Sequence, residues 1–452
     1  MKLFVSIFCC LFFLTSNSLA INEAIYEYRY DVFPLQGELN DTPVFNSNSP
    51  EEVITQGILL STFSKENKEY PNAHIDYKFI NKFDIFSHHI AVKTEENKNK
   101  TLFQGILVKN LSNEVATIKI HSSATYLTSQ TPFLKLDDYI INNDGAIFAG
   151  PGDKVNQDIL RNKNYFVIKE IKIKPKSYYI LFNEPINIKK GATRNARTCL
   201  FKLETDKNLY ISDLAIYQDT SSYENLNEKP SIDDYIYILE KNNLAQKRDK
   251  VPTPIDKPYK DKFFYSRVSG IAHGNTWKAK IINEKNYLKI PEKNFGYSYV
   301  LNSVYNNTYG TKNVQSAKVV KRYNDTAYQS HGNYGVTYEI EFNLYNYFDK
   351  YNSISINFSS PIRTQDDVFE RTVRYFEMPE EKIKFRGEIK ISYTTTSGIY
   401  FEKYIHLVQR FGQDSSPIGS FLLAPNEKRK VKIKYIYPAD CTPPHILSIY
   451  NM

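Results

Sequence analysis

Apolar and polar residues alternate with period two along most of the chain. Val336, Tyr338, Ile340, Phe342 and Leu344 alternate with Thr337, Glu339, Glu341 and Asn343. Val431, Ile433, Tyr435 and Tyr437 repeat the pattern, and shorter runs place Lys119 between Ile118 and Ile120, and Lys172 between Ile171 and Ile173. Such runs describe strands with one face on a core and one in water. Polar turn clusters separate them, among them Asn110-Leu111-Ser112-Asn113, Pro151-Gly152-Asp153, Ser397-Gly398 and Pro425-Asn426. The pattern predicts a mainly β protein made of antiparallel, immunoglobulin-like β-sandwiches.

One segment departs from it. After Pro230, Ser231 is placed to cap a helix, with Asp233 and Asp234 near its positive end. Ile232, Tyr235, Ile236 and Leu239 then share one helical face, and the helix is expected to stop near Asn242-Asn243. Pro252, Pro254 and Pro258 follow. This helix and Pro-rich linker, residues 229–262, divide an N-terminal domain (21–228) from a C-terminal one (263–452). A faint internal repeat accompanies the division. Gly105 to Lys109, Asn110, a turn and Val115 to Ile120 parallel Glu339 to Leu344, Asn346, a turn and Ile354 to Phe358. A proline turn then precedes a closing strand in each half, at Lys174-Pro175-Lys176 and at Ala424-Pro425-Asn426.

The N-terminus changes the setting. Lys2, the apolar run Leu3 to Leu14 and the small residues of Ser18-Leu19-Ala20 have the layout of a secretory signal peptide, residues 1–20, cleaved after Ala20. No later stretch approaches the ~18 apolar residues of a membrane span, so no transmembrane segment is expected after cleavage. Beyond the leader stand Cys199 and Cys441, for which one disulfide and two lone thiols both fit.

Composition strengthens the β reading: 36 Tyr and 28 Phe stand against one Trp and three Met. The 452 residues fit two or three domains, and the formal net charge is +8. Much of that charge alternates with Ile or Val, as in Lys169, Lys172, Lys174 and Lys176, or Lys430, Lys432 and Lys434, which marks the wet face of strands. A weak attraction to anionic envelope polymers is its functional counterpart. An exported chain with neither a basic recognition helix nor finger spacing is not expected to bind nucleic acid.

Catalytic signatures are missing: no GxSxG elbow, no GxxxxGK[ST] loop, no HExxH helix and no paired CxxC. His88-His89, with Asp84 and His74, is the densest metal-like group, but neighbours on a strand point to opposite faces, so no metal or cofactor is expected. The acid pairs Glu51-Glu52, Asp137-Asp138, Asp366-Asp367 and Glu380-Glu381 read as turns or helix starts. His331-Gly332-Asn333-Tyr334-Gly335 is the most distinctive stretch, because its glycines permit a tight backbone that presents His331, Asn333 and Tyr334. Trp277, beyond Gly274, offers a ring for a sugar face. The candidate ligand-binding residues are therefore His331, Asn333, Tyr334, Asp84, His88 and Trp277.

Pro43 to Pro50, Gly57 to Phe63, Phe83 to His89, Phe148 to Gly152, Tyr323 to Tyr328, His331 to Val336 and His406 to Arg410 resemble the cyanobacterial domain-of-unknown-function family numbered 3370. The resemblance spans nearly the whole chain beyond the leader. It implies an exported protein of periplasm or cell surface and transfers no catalytic residue, since the family is uncharacterised. The expected function is a non-catalytic structural or binding module for surface polysaccharide or an envelope protein. The alternative is a secreted hydrolase of envelope glycans using His331, Tyr334 and Asp84.

Overall fold

The computed structural model describes residues 25–128, 135–188, 191–219, 228–246, 248–256 and 262–452. The expected leader and Pro258 lie outside them. The chain is mainly β, as the alternation predicts, with three sheets of six, twelve and eight strands. None of the three closes into a barrel among the described residues. No described helix is long and apolar enough to cross a membrane.

The sheets are mixed, where purely antiparallel sandwiches were expected. Ile25–Pro34 runs parallel to Phe295–Leu301, Pro43–Ser47 parallel to Phe79–Val92, and Thr276–Ile281 parallel to Thr337–Tyr345. Parallel partners need long connections. Period-two alternation records which face of a strand is buried and is silent on the direction of its neighbour.

The twelve-stranded sheet is organised by Arg194–Asp219, 26 residues long, which pairs with Gly57–Ser61, Phe79–Val92, Lys100–Asn110 and Ala116–Leu127. Its core includes Phe45, Phe79, Phe83, Ile85, Ile118, Phe201 and Ile211. The largest core joins the inner faces of the six- and eight-stranded sheets, with Ile354, Ile356, Phe358 and Leu447 from one and Ile340, Phe342, Ile389 and Ile433 from the other. Each such side chain fully removed from water contributes roughly 1.5–3 kcal/mol.

Strand pairing crosses the segment 229–262 in both directions. Ile25–Pro34 lies between Phe295–Leu301 and Thr372–Phe376, and Tyr139–Ile141 extends the sheet at Tyr400–Arg410. In return, Ser269–His273 pairs with Pro43–Ser47 and brings Ala317–Arg322 into the twelve-stranded sheet.

The helix expected after Pro230 is present as Ile232–Lys241, closed by a capping box between Ser231 and Asp234. Its Tyr235, Ile238 and Leu239 are buried against Ile58, Leu107 and Leu214. A second helix, Pro151–Leu160, replaces the turn predicted at Pro151-Gly152-Asp153. Pro151 occupies its first turn, where the missing N–H costs nothing. Val155, Ile159 and Leu160 pack with Phe86 and Leu200 from one half and Ile436 from the other. Asp153 accepts from the Ala149 amide and meets His406 Nε2 at 2.7 Å, while Arg161 Nη2 meets Glu388 Oε2 at 2.6 Å.

Cys199 and Cys441 are free, buried thiols in separate cores.

Candidate functional site

A cavity of about 520 Å³ opens where segments from both halves meet. That falls within the ~300–1,000 Å³ of small-ligand clefts. Asn46 lies near the end of strand Pro43–Ser47, and Asn48 and Glu51 follow it. Phe263, Tyr265, Ser266 and Arg267 come from the approach to strand Ser269–His273. His331 and Tyr334 come from the turn before Thr337–Tyr345, and Lys384 from strand Ile383–Thr394. Backbone bonds hold the loops together: the Asn48 amide donates to Val268 O (2.9 Å) and the Thr442 amide to Lys384 O (2.7 Å).

The turn His331 to Gly335 is shaped as its glycines suggest. A Cβ on Gly332 would lie 2.5 Å from the Tyr334 ring, and Gly335 has φ +80°. The Tyr334 ring stacks on Tyr437 (5.9 Å, 5°) and its hydroxyl donates to Cys441 O at 3.0 Å. His331 lies edge-on to Tyr265 at 4.7 Å. Burial drives the His331 pKa down to about 4, so the ring is neutral at pH 7.

The other predicted residues sit elsewhere. Asn333, also at positive φ (51°), is buried; it donates to Gln315 O and Tyr338 Oη and accepts from the Ala317 amide, so it holds the turn together. Trp277 is in the core, stacked on Tyr338 and donating to Gln36 O at 3.0 Å. Asp84 is buried opposite Lys202 in the strand register and meets its Nζ at 3.1 Å. His88, opposite Thr198, lies 2.7 Å from its Oγ1, and its Nε2 is 3.9 Å from Glu51 Oε1, one residue behind the cavity wall. Burial lowers its pKa, with Asp440 opposing. His89 points to the opposite face, toward Ser47 and Asp213, as strand geometry requires.

Sequence reasoning therefore found two of the lining residues and missed Asn46, Asn48, Tyr265, Arg267 and Lys384. Asn46 and Asn48 stand inside Pro43 to Pro50, one of the stretches that carried the family resemblance. Tyr265, Arg267 and Lys384 come from unrelated stretches and leave no local signal.

The electrostatics are uneven. Arg267 binds Glu51 at 2.5 Å and reaches Asp249 at 3.6 Å. Burial raises the Glu51 pKa, and Arg267 opposes the rise. Glu51 is the one carboxylate among the lining residues, whereas the usual glycoside hydrolysis needs two facing each other. Asn46 Oδ1, Asn48 Oδ1, Ser266 Oγ and His331 Nδ1 are buried with no hydrogen-bond partner among the described residues. Four of the 23 such atoms among the described residues fall in this one lining.

Comparison with curated proteins finds no match. Comparison with protein families matches residues 30–451 to a protein of unknown function (DUF3370). That match covers both halves, the long strand that organises the twelve-stranded sheet and every residue of the cavity. The chain thus belongs to the DUF3370 family of proteins of unknown function.

Proposed function

We propose that this protein is an exported, non-catalytic module of the cell envelope that binds a glycan in the cavity between its halves. The observation that carries the reading is the group of unpartnered polar atoms on Asn46, Asn48, Ser266 and His331. A hydroxyl-rich ligand supplies donors and acceptors to such side chains, and the rings of Phe263 and Tyr265 give it an apolar surface. The hydrolase reading is less well supported, because Glu51 is engaged by Arg267 and Asp84 by Lys202. Export rests on the leader at residues 1–20. The internal repeat around Asn110 and Asn346, with its proline turns at Pro175 and Pro425, supports describing the two halves as sandwich-like units.

The test is calorimetric titration of purified protein with fragments of peptidoglycan and envelope polysaccharide, with the same mixtures assayed for released reducing ends. Saturable binding that falls at least tenfold in Tyr265→Ala and Asn48→Ala, without release, is expected. Released sugar would replace the proposal with the hydrolase, and no binding by any fragment would remove it. Mass spectrometry of the chain recovered from outside the cytoplasmic membrane should place its first residue at Ile21.

A further inference from the structure

We propose that the glycan bound in this cavity is acidic, and that Lys384 receives its carboxylate. The inference rests on the cavity being a glycan site and adds the charge of the ligand.

Lys384 lines the cavity and is 6% exposed. It occupies the second position of Ile383–Thr394, beside the loop of Thr442 and Pro443. Its ammonium lies 3.4 Å from Pro443 O and 5.8 Å from the centre of the Phe411 ring, and it makes no ion pair among the described residues. Arg363 and Arg197, as deeply buried, also make no ion pair among the described residues, but their guanidinium groups are met by several oxygens, Tyr309 O, Thr372 O and Asp367 O for Arg363 and Thr125 Oγ1 and Pro185 O for Arg197, whereas the Lys384 ammonium has the single carbonyl of Pro443. Of the two cations in the lining, Arg267 is matched by Glu51 and Asp249, so Lys384 is the one whose charge is unmet.

A lone buried ammonium forfeits several kcal/mol of hydration, a cost that a carboxylate brought by a ligand would offset. Burial draws the Lys384 pKa down to about 8, assisted by Lys382 and opposed by Glu380, so the group is still mainly a cation at pH 7. His445, the titratable group that faces it from strand His445–Asn451, is held neutral by burial and by Lys384 itself. A sugar carboxylate supplies a countercharge and an acceptor for the ammonium, while its ring hydroxyls meet the amides of Asn46 and Asn48.

The test uses the full protein and a panel of oligo-uronates, built from glucuronate, galacturonate or mannuronate, each paired with its neutral methyl ester. Calorimetry at pH 6.5 should show at least one acid binding tenfold or more tightly than its ester. In Lys384→Met that preference should fall below twofold through lost affinity for the acid; Lys384→Gln gives the same reading should the methionine variant not fold. Equal affinity for acid and ester, or a preference that survives both variants, overturns the role of Lys384 and leaves the glycan site standing. Failure of every acid and every ester to bind overturns the acidic-glycan proposal, and the glycan site itself then stands or falls with the peptidoglycan and polysaccharide titration.

Discussion

Asn110 and Asn346 make the same hydrogen bonds in the two halves of the chain. Each is fully buried where a strand ends, Asn110 as the last residue of Lys100–Asn110 and Asn346 just after Thr337–Tyr345. Each side-chain amide donates to the carbonyl four residues ahead, Glu114 O or Lys350 O, and to two carbonyls just before a distant proline. Those are Ile173 O and Lys174 O before Pro175, and Leu423 O and Ala424 O before Pro425. Each Oδ1 accepts the amide two residues on, from Ser112 or Phe348. Lys176 and Asn426, which follow the prolines, both have positive φ. The strands agree as well. Lys100–Asn110 pairs with Tyr178–Ile186 and Ala116–Leu127 with Glu170–Ile173. In the second half Thr337–Tyr345 pairs with Lys428–Ile436 and Asn352–Ser359 with Gly419–Leu423. The faint sequence repeat is thus a repeated structural unit with an asparagine at its joint.

Asn110→Asp and Asn346→Asp should each lower stability by roughly 2–4 kcal/mol, as much as the alanine variants, because an ionised carboxylate donates nothing to three buried carbonyls. Urea unfolding measures this. Aspartate variants as stable as the parent would show that the shape of the side chain, and not its donor group, matters there.

Arg161 fastens helix Pro151–Leu160 to the eight-stranded sheet through Glu388, which is 2% exposed. Arg161→Met leaves that carboxylate buried and unpaired, at an expected loss of about 3–5 kcal/mol. Adding Glu388→Gln should recover part of it. A double variant no better than the single would mean that the lost packing of the arginine, and not the stranded charge, causes the damage.

His331 and His74 are both held near pKa 4 by burial, against an ordinary 6.5. Below pH 6.5 the unfolded chain takes up protons that the native state refuses. The stability tied to these residues is therefore complete above about 6.5 and is lost as the pH falls toward 4. Glu51 and Glu388, raised by burial, act in the opposite sense. His331→Asn should flatten the decline by on the order of 2 kcal/mol between pH 7 and 4.5. Denaturant midpoints across that range decide it, and an unchanged slope would count against a buried, neutral His331.

Lys384 gives a slope of the same sign in a higher pH window. Its native pKa, about 8, lies below the unfolded 10.5, so its burial penalty is full below 8 and is relieved as the pH rises. Lys384→Met should be at least as stable as the parent at pH 7 and should lose the gain between pH 8 and 9.5. A variant clearly weaker at pH 7, with the gain intact, would mean that the native state does not strain against this charge.

Local patterning determined what the elements are. Period-two alternation marked Thr337–Tyr345 and Lys428–Ile436 as strands, and the Ser231 cap with Ile232, Tyr235 and Leu239 marked the helix, because face and cap chemistry are written within a few residues. Tertiary structure decided who meets whom. The turn composition of Pro151-Gly152-Asp153 became a helix because strands from both halves cover Val155, Ile159 and Leu160. Asn333, Asp84 and Trp277 went into packing and His331 into the cavity wall. Lys384 is the clearest case: in sequence it is one more lysine between apolar neighbours, and only the loop of Thr442 and Pro443 folded beside it makes it a buried charge. Partner choice depends on contacts hundreds of residues apart, and no periodicity within one segment encodes them.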